Sequence, residues 1–344
     1  MPSIQNKLIN SLFYVGSLNK NSNSYRRFQT YKQLVSQVEG LDIEPFIYES
    51  ITKRFDHHFN FGLGTLKLNA AARAIEFSKF DLLLIDNRPF LFKSTLNYIR
   101  KKYPNLKIAL VLTDDPNGQY KSGWRLLKKT ASLIDIHFVQ RKTNVQELFL
   151  WGANNVEMCY RSYDLAFHRK KPAIEKNKNY NAGFIGSYEE QREESIKFLI
   201  EKGIKVKVIG DGWAKGRHFD LIKPYYGGPS VYGELYVDCI NSMQLALHFL
   251  RVGNRDEQDS RTFEIPACGT PMIAEYSSVH ASLFNDNEVL FFKKNEELLD
   301  KVRYFMENPQ IAAEYAERAA RRCVEVGYDH KSTLQKVLDK IQTV

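Results

Sequence analysis

The 344-residue sequence has no long uninterrupted apolar run. Its best apolar stretches, residues 82–85 and 108–112, have the length of strands and are far shorter than the ~20 residues of a membrane-spanning helix. Residues 1–7 also lack the apolar core of a signal peptide. From these absences we expect a cytoplasmic protein.

Cysteine is scarce, and no two cysteines form a Cys-x-x-Cys pair. The four present are far apart, at Cys159, Cys239, Cys268 and Cys323. This spacing predicts buried free thiols in a reducing compartment, and excludes a disulfide framework or a zinc ribbon. The sequence also lacks Gly-x-Gly-x-x-Gly after its first strand, where Gly16-Ser17-Leu18-Asn19 stands instead, so no dinucleotide site is predicted.

Lysine and arginine exceed the acidic residues, giving a net charge of +9. The basic residues form no long tract and no nucleic-acid-binding motif, so we expect no nucleic acid partner. Three interpretations of the excess stay open. It is dispersed over a solvated surface, it serves an anionic ligand such as a nucleotide diphosphate, or it attracts the protein to anionic lipid.

Strand-like and helical patterns alternate along the whole chain, which is typical of parallel α/β units covered on both faces. Strands are predicted at residues 12–15, 46–48, 81–85, 108–112, 136–139, 156–159, 182–186, 206–209, 245–250, 272–273 and 289–292.

A polar segment rich in lysine, asparagine and proline separates two such series. We interpret residues 168–180 as a linker between an N-terminal Rossmann-like domain, residues 1–167, and a C-terminal one, residues 181–331. Residues 332–344 carry an apolar stripe at helical spacing, and we expect this helix to cross back to the N-terminal domain.

Residues 260–273 predict a helix that ends at a glycine and turns at once into a buried strand. Gly269 suits the left-handed position that closes a helix, and Pro271 prevents its continuation. Glu264 stands in the first turns of this helix, where a carboxylate can face a ligand. An ordinary helix-to-strand joint with a solvated glutamate is the alternative.

Several segments of the second half occur in the order found in one group of enzymes. They are Gly183-Phe184-Ile185-Gly186-Ser187 with Arg192, residues 208–213, residues 261–269, residues 283–292 and residues 296–309. This half resembles the GT-B glycosyltransferases of the group 1 family, and within them the CgeB-like proteins. The first half resembles them more weakly, through Asp114-Asp115-Pro116, Gly152-Ala153 and Asp164.

The resemblance implies an α/β protein of GT-B fold, with two Rossmann-like doubly wound domains facing a cleft. It implies transfer of a hexosyl or related sugar from a nucleotide-sugar donor to a cell-envelope, polysaccharide or metabolite acceptor. The enzyme would be metal-independent and use no cofactor, since the nucleotide sugar is a co-substrate. A lipid-linked acceptor would place it peripherally at the inner membrane face. A non-catalytic sugar-nucleotide-binding protein and a GT-B-fold sugar-nucleotide epimerase are the alternatives.

The resemblance assigns the ribose hydroxyls of the donor to Glu264. Small residues between strand and helix let backbone N–H groups approach a phosphate, and arginine offers a planar fork of donors to a diphosphate. A tryptophan at the second strand could stack on the ligand or belong to the core. The predicted nucleotide-sugar-binding residues are Gly186, Ser187, Arg192, Gly210, Trp213, Arg255, Arg261 and Glu264.

The predicted catalytic residues are Asp114, Asp115 and Asp256. The first two follow a buried strand. We expect one of them to line the cleft as an acceptor contact or general base. A helix N-cap is the alternative role. Asp256 stands eight residues before Glu264, where many GT-B enzymes have a glutamate that touches the donor sugar. A solvated acidic loop is the alternative for Asp256.

Histidines add further candidates. His57 or His58 could be a base, although a histidine in a polar loop is usually solvated, and His248 is predicted to be packed near the cleft. The spacing of the acidic residues is not that of an Asp-x-Asp metal site, so no metal is predicted.

Overall fold

The computed structural model describes residues 8–119 and 123–344. They fall into two compact units. The first unit holds the chain up to Tyr160, together with Val252–Asp256 and His330–Val344. The second unit holds Arg161–Arg251 and Glu257–Asp329. The short segment Val252–Asp256 therefore leaves the second unit and returns to it, and the C-terminal segment belongs to the first unit.

The first unit is built on a sheet of six parallel strands in the order β2-β1-β3-β4-β5-β6. The strands are β1 (Ser11–Gly16), β2 (Gln37–Asp42), β3 (Leu82–Asp86), β4 (Lys107–Leu112), β5 (Ile136–Val139) and β6 (Val156–Met158). The helices of this unit are α1 (Asn23–Leu34), α2 (Glu44–Ile47), α3 (Lys53–Phe59), α4 (Leu63–Ala74), α5 (Lys93–Lys102), α6 (Arg125–Thr130), α7 (Lys142–Leu150) and α15 (His330–Gln342).

Every residue of β3 is buried, because helices cover both faces of the first sheet. The apolar stripe of α15 lies on one of these faces. Leu334, Val337, Leu338 and Ile341 are buried in one cluster with Tyr31 of α1 and with residues of β1, β3, β4 and β5. Burying this stripe removes it from water, which explains why the C-terminal helix belongs to the first unit.

The second unit has five parallel strands in the order β11-β10-β9-β7-β8. The strands are β7 (Ala182–Ile185), β8 (Val206–Ile209), β9 (Ala246–His248), β10 (Met272–Glu275) and β11 (Leu290–Phe292). The helices are α8 (Glu190–Glu201), α9 (Phe219–Ile222), α10 (Gly233–Ser242), α11 (Arg261–Ala267), α12 (Ser278–Leu283), α13 (Asn295–Glu307) and α14 (Pro309–Glu325).

One strand prediction is wrong. Residues 46–48 were expected to be a strand but end helix α2 and its cap, while the strand of this region is β2. Pro45 stands in the first turn of α2, where proline is tolerated because its missing N–H would have no helical partner. Since β2 is a half-exposed edge strand, it lacks the continuous apolar run by which a buried strand is recognised.

Strand order reverses once in each sheet, between β1 and β3 in the first unit and between β7 and β9 in the second. In doubly wound sheets, ligands bind outside the carboxyl ends of the strands at such a switch point.

In the described part of the chain, no helix is both long and apolar enough to cross a membrane.

Candidate functional site

Arg192 links the two strand ends at the switch point of the second unit. Its guanidinium donates hydrogen bonds of 2.9 Å to the carbonyl of Ser187, after β7, and of 3.2 Å to that of Phe249, after β9. The side chain is buried, and this burial lowers the pKa of Arg192. Arg192 therefore holds together the two strand ends between which a ligand would sit, with part of its donor set already used.

Two glycines permit a close approach at the ends of β7 and β8. Gly210 has a φ of +150°, and a Cβ atom there would lie 2.0 Å from the carbonyl oxygen of Gly186. Any side chain at Gly210 would push the two strand ends apart. Ser187 follows directly and is exposed, so the backbone at this turn is open to an approaching ligand.

Trp213 is a core residue in this structure, one of the two roles that the sequence left open. Its ring is fully buried against Phe184 and Tyr188, and its Nε1 donates a 2.9 Å hydrogen bond to the carbonyl of Gly186. A ring without exposed surface offers no face on which a base could stack. Trp213 instead fixes the turn that follows β7.

Helix α11 presents Glu264 to Tyr236 of α10. The tyrosine hydroxyl donates a 2.5 Å hydrogen bond to Oε2 of Glu264. Burial and the adjacent carboxylate raise the pKa of Tyr236, so the phenol stays protonated and remains a donor. Gly269, with a φ of +66°, closes the helix as its position in the sequence predicts.

His168 lies on the other oxygen of the same carboxylate. Its Nδ1 accepts a 3.1 Å hydrogen bond from the backbone N–H of Asp164, so the neutral ring carries its proton on Nε2. That nitrogen lies 3.7 Å from Oε1 of Glu264. Two donor groups thus flank the carboxylate, which is almost completely buried.

Three arginines lie in the part of the second unit that follows β7 and β9. Arg192 Nε lies 4.0 Å from one carboxylate oxygen of Glu189, and the other oxygen of Glu189 pairs with Arg251. Arg251 pairs with Glu189 at 3.1 Å, and Arg261 with Asp259 at 3.4 Å. Sequence reasoning missed Arg251, although it directly follows the predicted strand at residues 245–250.

Asp259 is held at the base of this cluster by His248. One carboxylate oxygen lies 2.8 Å from His248 Nε2, and the other faces Arg261. Burial alone would raise the pKa of Asp259, but His248 and the neighbouring arginines hold it well below its usual range. The packed histidine predicted on this strand is thus a partner of the acid that orients Arg261.

Arg255 lies in the first unit, paired with two carboxylates of that unit. It donates to Asp115, with a 2.8 Å bond to Oδ1, and to Glu147 at 2.9 and 3.0 Å. Its φ of +46° is in the left-handed region, which is uncommon for a residue with a side chain. The guanidinium that the sequence assigned to a diphosphate is thus occupied by an ion-pair network.

Asp256 is bound in the same unit by Arg141. The buried guanidinium of Arg141 forms an ion pair with Asp256 and donates a 2.6 Å hydrogen bond to the carbonyl of Asn254. Asn254 donates a further 2.8 Å bond to Asp256 Oδ1. These contacts fasten Val252–Asp256 to the first unit, whereas the sequence placed the whole segment in the C-terminal domain.

The adjacent acids Asp114 and Asp115 have different surroundings. Asp115 is buried, and although burial raises its pKa, hydrogen bonds from Arg255 and Asn144 lower it below the usual value. Asp114 is half-buried and exchanges two hydrogen bonds with Asn87, at 2.9 and 3.1 Å. Of the two, Asp114 has the more accessible carboxylate.

His57 lies against Arg88 near the carboxyl end of β3. Its Nε2 lies 3.0 Å from Arg88 Nη1, which can only donate, so this nitrogen is the acceptor. Burial, Arg88 and His58 lower the pKa of His57 to about 4. The ring is therefore neutral near pH 7, with Nε2 already engaged.

The switch point of the first unit also carries a buried charged group that sequence reasoning missed. Asp86, the last residue of β3, accepts two hydrogen bonds from Arg27, at 2.6 and 2.8 Å, and one from Tyr14. The sequence signal for Asp86 was an acidic residue directly after the strand predicted at residues 81–85. Among residues 8–119 and 123–344, no group of three or more His, Cys, Asp or Glu side chains is arranged to hold a metal ion.

Comparison with protein families gives one match. Residues 191–339 match the model of a family described as glycosyl transferase-like. The matched region contains Arg192, Arg251, Arg261 and Glu264. No curated relative matches the sequence.

Solved structures resemble nearly the whole chain. Sucrose-phosphate synthase from Thermosynechococcus elongatus is 12% identical with a TM-score of 0.67, covering 97% of this chain and 99% of that one. HepE from Anabaena in complex with UDP-glucose is 11% identical with a TM-score of 0.64, covering 97% and 100%. A glycosyltransferase from Rickettsia africae is 12% identical with a TM-score of 0.63, covering 97% and 98%.

These likenesses concern the fold. Two parallel α/β units and the agreement over almost complete chains confirm the predicted class. The protein has the GT-B fold, and the greater part of its second unit matches a glycosyl transferase-like family.

Proposed function

We propose that this protein is a glycosyltransferase that moves a sugar from a nucleotide-sugar donor to an acceptor hydroxyl. One observation carries the proposal. Arg192 ties the carboxyl ends of β7 and β9 together and shares Glu189 with Arg251, while Arg261 and Glu264 stand on α11 of the same unit, and all four lie inside the region that matches a glycosyl transferase-like family. The order of the matched sequence segments supports a CgeB-like member.

The arginine cluster suits the diphosphate of the donor. Guanidinium groups bind phosphate oxygens through charge-assisted, often paired hydrogen bonds. Arg251 has the most exposed side chain of the three, 44%, and is the best placed to meet a ligand from solvent. The same positive charge would stabilise the nucleoside diphosphate as it leaves, in place of a metal ion.

Glu264 suits the ribose hydroxyls. Each carboxylate oxygen can accept two hydrogen bonds, so Oε2 can accept one from ribose while it keeps the one from Tyr236. Because HepE binds UDP-glucose in a similar fold, a UDP-sugar is the first donor to test. Trp213 has no contact role in this proposal.

We propose that residues of the first unit form the acceptor site. Asp114 is our proposed acceptor contact or general base, because its side chain is half-buried whereas Asp115 is buried in an ion pair with Arg255. Although burial raises the pKa of Asp115, hydrogen bonds from Arg255 and Asn144 hold it below its usual value, which makes Asp115 a poor base near pH 7. For Asp115 and Asp256 we propose instead the role of anchoring the segment Val252–Asp256.

We further propose that the acceptor is lipid-linked. The region around α3 and α4 exposes six large apolar side chains in a short stretch: Ile51, Phe55, Phe59, Phe61, Leu63 and Leu66. Lys53, Arg54 and Lys67 are interspersed among them and exposed. A surface that combines apolar and basic side chains suits the boundary of an anionic membrane.

Turnover of a labelled donor tests the enzymatic proposal. Purified protein would be incubated with UDP-glucose labelled in the sugar, with and without membrane lipid extract as acceptor source. A transferase produces labelled lipid and UDP, and releases free glucose slowly when no acceptor is present. An epimerase produces a new UDP-hexose without acceptor, and a binding protein leaves the donor intact; either result would overturn the transferase proposal. Arg251→Met should lower turnover, and Arg303→Met, an exposed position on α13, should not.

A further inference from the structure

A groove lies at the amino ends of the strands of the second unit, the opposite edge of the sheet from the strand ends that Arg192 holds together. Asn181, Leu245 and Pro271 border it just before β7, β9 and β10. Its other wall is formed by the last turn of α13 and the first half of α14. The groove has a volume of about 490 Å³, within the range of roughly 300–1,000 Å³ that small-molecule sites occupy.

Three lysines line this groove: Lys170, Lys176 and Lys178. The ammonium group of Lys176 lies 3.4 Å from the hydroxyl of Thr270. The side chains of all three lysines are exposed at the rim of the groove. Within the part of the chain that the structure describes, none of the three lysines forms an ion pair with a carboxylate.

A neighbouring lysine shows the contrast. Lys171, in the same segment, pairs with Glu234 and Asp238 of α10, and the hydrogen bonds that it donates to Asp238 and Glu234 raise its pKa. The fold therefore supplies acids for Lys171 but leaves the charges of the groove lysines uncompensated. Like charges brought together without a counter-charge are unfavourable, and an anion bound among them would relieve this cost.

The acids of the groove are already paired. Glu314 and Glu317 project from α14, and they pair with Arg318 and Arg321 one turn further along the same helix, at 3.5 and 3.3 Å. These arginines offset the negative charge near the lysines. The groove is thus left with a net positive character.

The rest of the lining is apolar. It includes Leu245, Pro271, Phe305, Met306 and the alanines of α14 at positions 312, 313 and 316. Small side chains on the helix leave room for a flat ligand body against Phe305. A ligand that uses the whole groove would combine an apolar or aromatic body with an anionic group.

We propose that this groove is a second ligand site of the protein, which binds a small organic anion with an apolar or aromatic body. The anionic group, a phosphate, sulfonate or carboxylate, contacts Lys170, Lys176 and Lys178. The body lies against Leu245, Phe305 and α14. The groove is separate from the arginines of the proposed nucleotide site, because Arg192 and Arg251 lie at the carboxyl ends of β7 and β9 and the groove lies at their amino ends.

Fluorescence titration with 8-anilinonaphthalene-1-sulfonate tests this site, since the probe combines a sulfonate with an aromatic body. The wild type should bind it saturably, with a fluorescence increase. Lys176→Met keeps most of the apolar stem and removes the charge, and should weaken binding about tenfold or more, the loss typical of one charged hydrogen bond. Ala313→Trp fills the groove from an exposed helix position and should abolish the saturable phase.

Lys215→Met is the matched control, an exposed lysine of the same unit outside the groove, and should bind the probe as the wild type does. Thermal unfolding of each variant checks that the fold is kept. Unchanged probe affinity in both groove variants would overturn the proposal, since the probe would then occupy another surface, such as the exposed apolar residues of α3 and α4. Absence of saturable binding to the wild type would overturn it as well.

Discussion

The hydroxyl of Tyr236 donates a 2.5 Å hydrogen bond to Oε2 of Glu264. The two side chains come from different helices, α10 and α11, so the bond fixes where the carboxylate lies before any ligand arrives. His168 approaches the other oxygen at 3.7 Å. A carboxylate held by the Tyr236 hydrogen bond is oriented in advance, which lowers the entropic cost of binding.

Removing the tyrosine hydroxyl tests this orientation. In Tyr236→Phe the carboxylate keeps its charge but loses its nearest donor, and we expect UDP affinity to fall severalfold, about 1 kcal/mol for one hydrogen bond. Calorimetric titration measures the change. Tyr232→Phe, at an exposed tyrosine just before α10, is the control and should bind as the wild type does. Equal or tighter UDP binding by Tyr236→Phe would show that the tyrosine does not position Glu264.

The arginine cluster predicts a selective loss of diphosphate affinity. Arg251→Met should weaken UDP binding by about 1.5–3 kcal/mol, because a charge-assisted contact to the diphosphate is lost. Binding of uridine, which has no phosphate, should not change. Arg303→Met is the control on the exposed face of α13. If uridine and UDP weaken equally, Arg251 acts on the shape of the site and not on the diphosphate.

His280 predicts a loss of stability in acid. It is fully buried on α12, its Nδ1 lies 3.0 Å from the carbonyl of Glu275, and burial with the nearby His248 lowers its pKa to about 3. In the unfolded chain this histidine has a pKa of about 6.5. It therefore becomes protonated there at a pH at which the buried ring in the folded state stays neutral. The free energy of unfolding should therefore fall as the pH drops from about 6.5 towards 3, by up to about 1.4 kcal/mol per pH unit from this group.

Urea unfolding of His280→Asn at several pH values checks this prediction. The amide can still donate to the Glu275 carbonyl but does not titrate, so the variant should lose less stability between pH 6.5 and 5 than the wild type. Leu283→Ala, at a buried neutral neighbour on the same helix, should be destabilised by a constant amount across this range. Parallel pH profiles of wild type and His280→Asn would contradict the assignment of a neutral His280.

The exposed apolar residues around α3 predict binding to anionic membranes. The wild type should sediment with vesicles that contain phosphatidylglycerol at low salt and be released as salt rises, because screening weakens the attraction of Lys53 and Arg54. The double variant Phe55→Ser/Phe59→Ser should bind less at every salt concentration. Tyr304→Ser, at an exposed aromatic residue of the second unit, is the control. Failure of the wild type to bind at low salt would remove the membrane proposal.

Most of the fold could be predicted from the sequence, because buried strands and helices alternate along the chain. β3 and β4 are fully or almost fully buried, so their apolar runs are continuous and easily recognised. The edge strand β2 was missed because half-exposed residues give no such run, and α2 was taken for a strand from three apolar residues.

The candidate site was predictable only in part. Glu264 follows from its place in a helix closed by Gly269, which is a local pattern. Arg255 and Asp256 could not be placed from sequence, because their partners Asp115 and Arg141 are more than a hundred residues away. Trp213 is buried by contacts with Phe184 and Tyr188, which a local pattern does not reveal.

Titration of wild type and Glu264→Gln with UDP, GDP, CMP and dTDP tests the central claim most directly, that the second unit holds a nucleotide through Glu264. The glutamine oxygen can still accept from Tyr236, so the fold and the ligand-free melting temperature should be kept. We predict that the wild type binds one of these nucleotides and that Glu264→Gln binds it about 1.5–3 kcal/mol more weakly, while Glu201→Gln, at the exposed end of α8, binds it equally well. Nucleotide affinity that is unchanged in Glu264→Gln, or no binding of any of the four nucleotides to the wild type, would contradict the account.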